Sequence, residues 1–549
     1  MLNLLTSLPL VRLLRQGSKR FDFEMGAFIV FAGLTNAGLL AIINGAAENA
    51  RNEAANGRLL SLFAVTIGLY IFAQRYILFT SITEVERILS GIRIRIADRI
   101  RKADLAAFEH IGRSEVYGIV ARETQNISQA AGTLIVAAQA LMLLVFTVGY
   151  LAMLSRTAFF ITVCITWIGV MLHFRRAVEL NTLLREAQRK ENDFLTALTH
   201  LLDGFKEARM SRQRSADLFH SLRDISTSVE DVKMRTGTSF AAHFILMQGA
   251  FYALLAAIVF LLPRISFAYS DVVLKLTAAV LFIIGPLTGI MNAVPVYSTA
   301  NVSASNIFAM EGVLAESSAS DQNGRPEATP PARFTRIELK RMGFHYEESG
   351  RGSAFGLGPL DLTIDAGQVI FVIGGNGSGK STLLKTLTGL YHPQSGAIVM
   401  DDTLVAPETA AWYRSHFTVV FSDYHLFDRL YGFQDVPPER VRDLLKLMQI
   451  EDKTAFEDGR FTNLELSSGQ RKRLALVAAL IEDRPILVLD EWAADQDPPF
   501  RKFFYEHILA DLKAQGKTII AATHDDKYFG LADRIVKMEY GQFVPYQGV

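Results

Sequence analysis

Gly374-Gly375-Asn376-Gly377-Ser378-Gly379-Lys380-Ser381 fits the pattern G-x-x-x-x-G-K-[ST] at every fixed position. The apolar run Val369-Ile370-Phe371-Val372-Ile373 precedes it and Thr382-Leu383-Leu384-Lys385 follows. That is the strand, loop and helix order such a loop requires. The backbone N–H groups of the glycine-rich turn wrap a phosphate, and the start of the following helix adds the positive end of its dipole. Gly374 through Thr382 are therefore the expected phosphate-binding residues. Lys380 reaches the terminal phosphates and Ser381 holds Mg²⁺.

Downstream, Ile486-Leu487-Val488-Leu489-Asp490-Glu491 is an apolar strand ending in two carboxylates. Asp490 suits Mg²⁺, directly or through water, and Glu491 suits polarising a water that attacks the γ-phosphate. Leu466-Ser467-Ser468-Gly469-Gln470 precedes a helical run from Arg471 to Ile481. Ser467 and the Gly469 N–H are placed to meet phosphate at a helix start, or to form an ordinary helix cap.

Together these motifs resemble the ATP-binding cassette (ABC) family, whose signature L-S-G-G-Q lies between the phosphate loop and the acidic strand. The resemblance implies ATP and Mg²⁺ as cofactors and adds residues. Tyr346 stands where the family has an aromatic that stacks on adenine. Asp497 closes a D-loop-like Ala494-Asp495-Gln496-Asp497, and Ser467, Ser468, Gly469 and Gln470 form the signature. His524, in Thr523-His524-Asp525 after the strand-like Thr518-Ile519-Ile520-Ala521, matches the switch histidine that senses the γ-phosphate. Three positions depart from the family pattern. Ser422 stands in place of the Q-loop glutamine and becomes a metal contact by position only. Ser468 replaces a glycine, and Trp492 a small residue or proline. None removes Lys380, Glu491 or His524 from the catalytic set, so hydrolysis is expected.

The first half of the chain is of another kind. Half of the 549 residues are hydrophobic, and the apolar ones concentrate before residue 300. Candidate membrane spans are Met25–Ala46, Leu59–Phe79, Ala131–Leu154, Ala158–His173, Phe240–Leu262 and Val273–Val296, against the ~20 residues a spanning helix needs. Basic residues follow the second span (Arg87 to Lys102) and the fourth (Arg175 to Lys190), which puts both termini and both long loops in the cytoplasm. Glu84–Ala107 and Leu183–Phe219 keep helical spacing, interrupted at Gly112 and Gly204. These read as helices leaving the bilayer, with short cross-helices at their tips that dock a nucleotide domain. Ser317–Arg333 is rich in Ser, Pro, Gly and acidic residues and reads as a linker. The expectation is an all-α six-helix transmembrane domain (1–316) joined by that linker (317–333) to an α/β P-loop nucleotide-binding domain (334–549).

Net charge of +0 gives no indication of nucleic acid as a partner. Six spans and one cassette resemble an exporter half-transporter. Within that class, G-G-N-G-S-G-K-S-T, F-S-D-x-H-L-F-D, L-S-x-G-Q-x-K-R and D-E-W-A-A-D-Q-D-P resemble the bacterial cyclic-peptide and siderophore exporters, a group that includes pyoverdine-precursor and lipodepsipeptide transporters. The resemblance implies a homodimer, joined through both domains, in the bacterial inner membrane. It also implies a peptide cargo, with a pyoverdine precursor first among the expectations. Each ATP would lie between the phosphate loop of one chain and the signature of the other. An importer on the same fold and an ATPase-driven sensor remain as alternatives. Gln74, Arg75, His243 and Gln248 fall in or near the spans. Polar groups there face protein or a watery cavity, which makes them candidate cargo contacts; Arg75 would equally extend to the headgroups.

Overall fold

The computed structural model of the chain describes residues 9–15, 19–51, 57–265, 270–318, 334–346 and 355–546. It separates into two compact units. One comprises residues 1–98 and 113–312, the other 99–112 and 313–549.

The first unit is helical. Among the described residues five helical stretches are long and apolar enough to cross a membrane: Glu24–Glu48, Gly57–Lys102, Glu115–Leu154, Arg212–Arg264 and Val273–Ala315. The fourth expected span is shorter. Its apolar described part, Arg156–Gly169, opens a 48-residue helix, Arg156–Asp203. The last span is not one helix: Ser270–Leu281 and Ile284–Ser318 meet at a turn at Phe282-Ile283. Pro286 supplies the reason, because it has no N–H and its ring collides with the carbonyl four residues earlier, at Phe282.

The long polar stretches are helices, as their spacing predicts. Gly57–Lys102 runs 46 residues and Arg212–Ala256 runs 45, so each extends to ~68 Å, more than twice the hydrocarbon thickness. Gly204 separates Arg156–Asp203 from a short tip helix, Phe205–Met210. Gly112 ends the other tip helix, Leu105–Ile111, with φ at 80°, a conformation glycine adopts freely. A buried polar knot ties two helices of this unit together. Glu123, 5% exposed, ends a π-helical turn, Ile119–Glu123, and accepts from the Ser303 hydroxyl at 2.6 Å and the Asn306 amide at 3.3 Å.

The second unit is the α/β domain. Its strands are β1 (Arg336–His345), β2 (Gly356–Asp365), β3 (Val369–Ile373), β4 (Ser395–Met400), β5 (Thr403–Leu404), β6 (Phe417–Val420), β7 (Phe456–Glu457), β8 (Arg460–Phe461), β9 (Ile486–Asp490), β10 (Thr518–Ala522), β11 (Arg534–Glu539) and β12 (Gln542–Val544). β2-β1-β4-β5 form an antiparallel sheet, β7 and β8 a small ladder, and β12-β11-β3-β10-β9-β6 the central sheet. In the central sheet β11, β3, β10, β9 and β6 run parallel. Every residue of β3, β9 and β10 is buried, which is why these strands read as unbroken apolar runs rather than as alternation. The expected linker begins inside a helix, since Ser317 and Ser318 close Ile284–Ser318; residues 319–333 lie outside the described residues.

Candidate active site at the carboxyl ends of the parallel strands

Open parallel sheets present ligands at the carboxyl ends of their strands. Val372, Ala522 and Asp490 lie side by side in register on β3, β10 and β9, and Val420 of β6 pairs with Leu489. The segments that follow these four strands carry the phosphate loop, His524, Glu491 and Ser422, so strand register alone brings four distant motifs to one rim.

The phosphate loop follows β3, and Lys380 opens the helix Lys380–Leu387. At Gly374, φ is 152°, and an added Cβ would lie 2.3 Å from the Met538 carbonyl oxygen. Only glycine lets the loop pass that close to β11. Lys380 is 5% exposed and donates to the carbonyls of Gly374 (3.1 Å) and Gly375 (3.2 Å). Its Nζ also lies 3.2 Å from Glu491 Oε1. His524 Nε2 is 3.1 Å from the same oxygen. Burial pushes the Glu491 pKa up, but the hydrogen bond and charge of Lys380, with His524 behind them, outweigh it and hold the carboxyl below its ordinary range. Glu491 adopts φ 49°, a left-handed conformation that costs energy outside glycine. Its N–H donates to the Ala522 carbonyl at 3.0 Å, and its own carbonyl accepts from Lys472 Nζ at 2.8 Å.

Asp490 is 1% exposed. Its Oδ2 accepts from the Ser422 hydroxyl at 3.0 Å, while Oδ1 is buried with no hydrogen-bond partner among the described residues. An orphaned carboxylate oxygen beside a hydroxyl suits a hard divalent cation. Asp490 and Ser422 therefore fit a magnesium site, to which Ser381 would be added by its place after Lys380. Tyr346, 39% exposed, sits edge-on to Phe344 and Tyr391, and its hydroxyl lies 3.1 Å from Thr382 Oγ1. Its exposed ring is available to a flat base.

The signature segment is built differently. Ser467 accepts from the Gln470 N–H at 3.4 Å, and the Gln470 side chain accepts from the Ser467 N–H at 3.2 Å. This reciprocal capping box starts the helix Ser468–Glu482, and Ser467 and Ser468 are exposed. A Cβ on Gly469 would lie 2.7 Å from the Asp495 carbonyl oxygen, so this glycine is required by the neighbouring chain. Asp497 caps Pro498–Phe503, accepting the Phe500 N–H at 3.0 Å, and pairs with Arg473.

Sequence reasoning missed Lys472, Arg473 and Gln496. Lys472 holds the Glu491 carbonyl and lies 2.9 Å from Asp495. Gln496 receives Arg473 at 2.9 Å and donates to the Gly469 carbonyl at 3.1 Å. The basic run after the signature was the available signal. The Trp492 departure is absorbed by packing: the ring is 2% exposed, lies 4.3 Å from Phe504, and donates Nε1–H to the Lys472 carbonyl at 2.8 Å.

The tip helix Leu105–Ile111 packs into this same unit. Glu109 accepts from Lys385 at 3.1 Å and from the Tyr391 hydroxyl, and Asp104 lies 3.3 Å from His392 Nε2.

The expected cargo residues do not form one group. Gln74 lines a cleft of about 210 Å³, Gln248 lines a smaller one of about 50 Å³ with Thr288, and His243 is buried. Arg75 is exposed, with its guanidinium 5.4 Å over the Phe79 ring of the same helix.

Residues 357–494 match the family model described as ABC transporter. The ATP-binding protein SyrD of Pseudomonas syringae pv. syringae is 34% identical over 83% of this chain and 82% of its own length. This chain belongs to the ABC transporter family. The ATP-dependent lipid A-core flippase of Burkholderia pseudomallei is 27% identical over 83% of this chain and 78% of its own. A probable syringafactin export ATP-binding/permease protein, SyfD, also from Pseudomonas syringae pv. syringae, is 34% identical over 36% of this chain and 32% of its own length. The chain is thus a multi-pass membrane protein fused to a cytoplasmic ATP-binding domain, a half-transporter that couples ATP hydrolysis to transport.

Proposed function

We propose that two copies of this chain form an exporter in the bacterial inner membrane that moves a peptide from the cytoplasm or inner leaflet, a cyclic peptide or siderophore precursor such as that of pyoverdine. The observation that carries the dimer is the incompleteness of the nucleotide site. Lys380, Glu491 and His524 gather at one rim, whereas Ser467 and Ser468 stand exposed at a helix start, and among the described residues no hydrogen bond joins them to the phosphate loop. A second chain completes both. Exposed Leu202, Phe205 and Met210 at the second tip support the same reading, because apolar side chains outside the membrane call for a cover. Support for a peptide comes from the motif resemblance and from the name of the syringafactin-export relative.

Within such a site Tyr346 stacks on the base, and the N–H groups of Gly374 to Thr382 cradle the phosphates. Lys380 leaves Glu491 to meet the terminal phosphate. Magnesium, held by Ser381 and Asp490 with Ser422 behind, would neutralise phosphate charge. Glu491, released from Lys380, accepts a hydrogen bond from the attacking water, and His524 contacts the γ-phosphate.

The test uses purified protein in oriented vesicles, with ATP hydrolysis and cyclic-peptide movement measured together. The expected result is ATP-dependent passage from the cassette side to the other face. ATP hydrolysis without peptide movement, or movement in the opposite direction, overturns the reading.

A further inference from the structure

Gln74 lies on the Gly57–Lys102 helix and Gln139 on Thr124–Leu154. The two are joined by one hydrogen bond, Nε2 of Gln74 to Oε1 of Gln139, at 3.2 Å. Both line the cleft of about 210 Å³, together with Asn36, Tyr70, Gly285 and Gly289. The remaining polar atoms, Gln74 Oε1 and Gln139 Nε2, are shielded from water and have no hydrogen-bond partner among the described residues. A carboxamide offers one acceptor oxygen and one donor NH₂. Turning both amides over preserves the joining bond, and turning only one opposes like atoms. In either paired arrangement one carbonyl and one NH₂ are left over.

Buried polar groups at membrane depth are rarely left unsatisfied, because no water is there to serve them. A neighbouring acceptor and donor are the complement of the N–H and C=O that one residue of an extended peptide turns to the same side. The cleft also has the right walls. The small residues Gly33, Gly285 and Gly289, with Tyr70, leave room for backbone rather than for a bulky head.

We propose that Gln74 and Gln139 form an amide-reading subsite: covered in this structure, their left-over carbonyl and NH₂ turn into the cleft to hold the backbone of the transported peptide by one N–H and one C=O. The subsite rests on the peptide-export reading and names the chemistry by which that cargo is selected. It favours chains with free amide N–H groups over those with N-methylated or ester linkages.

The test uses the full-length protein in lipid nanodiscs and two probes, a synthetic cyclic octapeptide and its fully N-methylated counterpart. Binding is read as Kd, and independently as the peptide concentration giving half-maximal stimulation of ATP hydrolysis. The wild-type protein is expected to bind the N–H peptide about tenfold more tightly, the worth of one buried hydrogen bond. Gln74→Met and Gln139→Met, which keep side-chain length and remove the amide, are each expected to reduce that ratio to about two or less. Where a Met variant does not assemble, Gln74→Asn or Gln139→Asn withdraws the amide by one methylene, and the same loss is expected. Variants that keep the wild-type ratio overturn the subsite and leave peptide export standing. A wild-type protein that binds neither probe overturns the export reading and the subsite together.

Discussion

At the scale of single residues, the pairing of Lys380 with Glu491 has the most direct consequences. Glu491→Gln keeps the shape of the site and removes the base. ATP binding is expected to persist while turnover falls about 10²–10⁴-fold, measured as nucleotide affinity beside hydrolysis rate. The folded-state pKa of Glu491 is depressed, so its charge, and the contact with Lys380, persist below the ordinary carboxylate range. They are lost only as pH falls through that lowered value. Lys380→Met should therefore raise the pH at which Glu491 protonates, readable from its carboxylate infrared band with Glu491→Gln as the blank. Ser422 touches Asp490 through one hydroxyl. Ser422→Ala should need more Mg²⁺ for half-maximal hydrolysis and lose roughly tenfold in rate, on the order of one charge-assisted hydrogen bond. That is well short of the near-complete loss in Lys380→Ala. Equal losses would make Ser422 a direct metal ligand.

At the scale of elements, the sequence carried the motifs and missed the contacts between them. The phosphate loop, the acidic strand and the signature were legible because each is a local run whose chemistry depends on neighbours in sequence. The β3, β9 and β10 runs were legible because burial on both faces leaves no alternation to misread. The break at Phe282-Ile283 passed unnoticed because Pro286 sits inside an otherwise continuous apolar run, and hydropathy does not register a missing N–H. Gln139 was missed for a related reason. A glutamine in a membrane span is marked only by a partner on another helix, which spacing along one chain cannot reveal. The hold of Lys472 on the Glu491 carbonyl likewise exists only after folding. Tip-helix docking was legible as helical spacing, but its partners were not. Glu109→Ala removes the acceptor of both Lys385 and Tyr391. ATP hydrolysis is expected to stay within about twofold while cargo movement falls about tenfold or more, the size of a coupling of 1–3 kcal/mol. Parallel assays of phosphate release and flux decide it; equal loss of both would assign Glu109 to the stability of the cassette instead.

At the scale of the whole molecule, in the proposed dimer one phosphate loop and one signature per chain make activity a property of pairs. Co-expressing Glu491→Gln chains with wild-type chains is expected to lower hydrolysis below the proportion of wild-type chains present. A strictly proportional decline would mean that each chain works alone. The Gly57–Lys102 helix gives the chain its reach. It passes without interruption from Gln74 to Lys102, ~42 Å along the axis, and ends at the segment that packs against Lys385, Tyr391 and His392. A straight rod of that length pivoting at one end by about 5° sweeps the other through ~4 Å, more than the length of a hydrogen bond. In the proposed exporter, a tilt of that size would be enough to part Gln74 from Gln139.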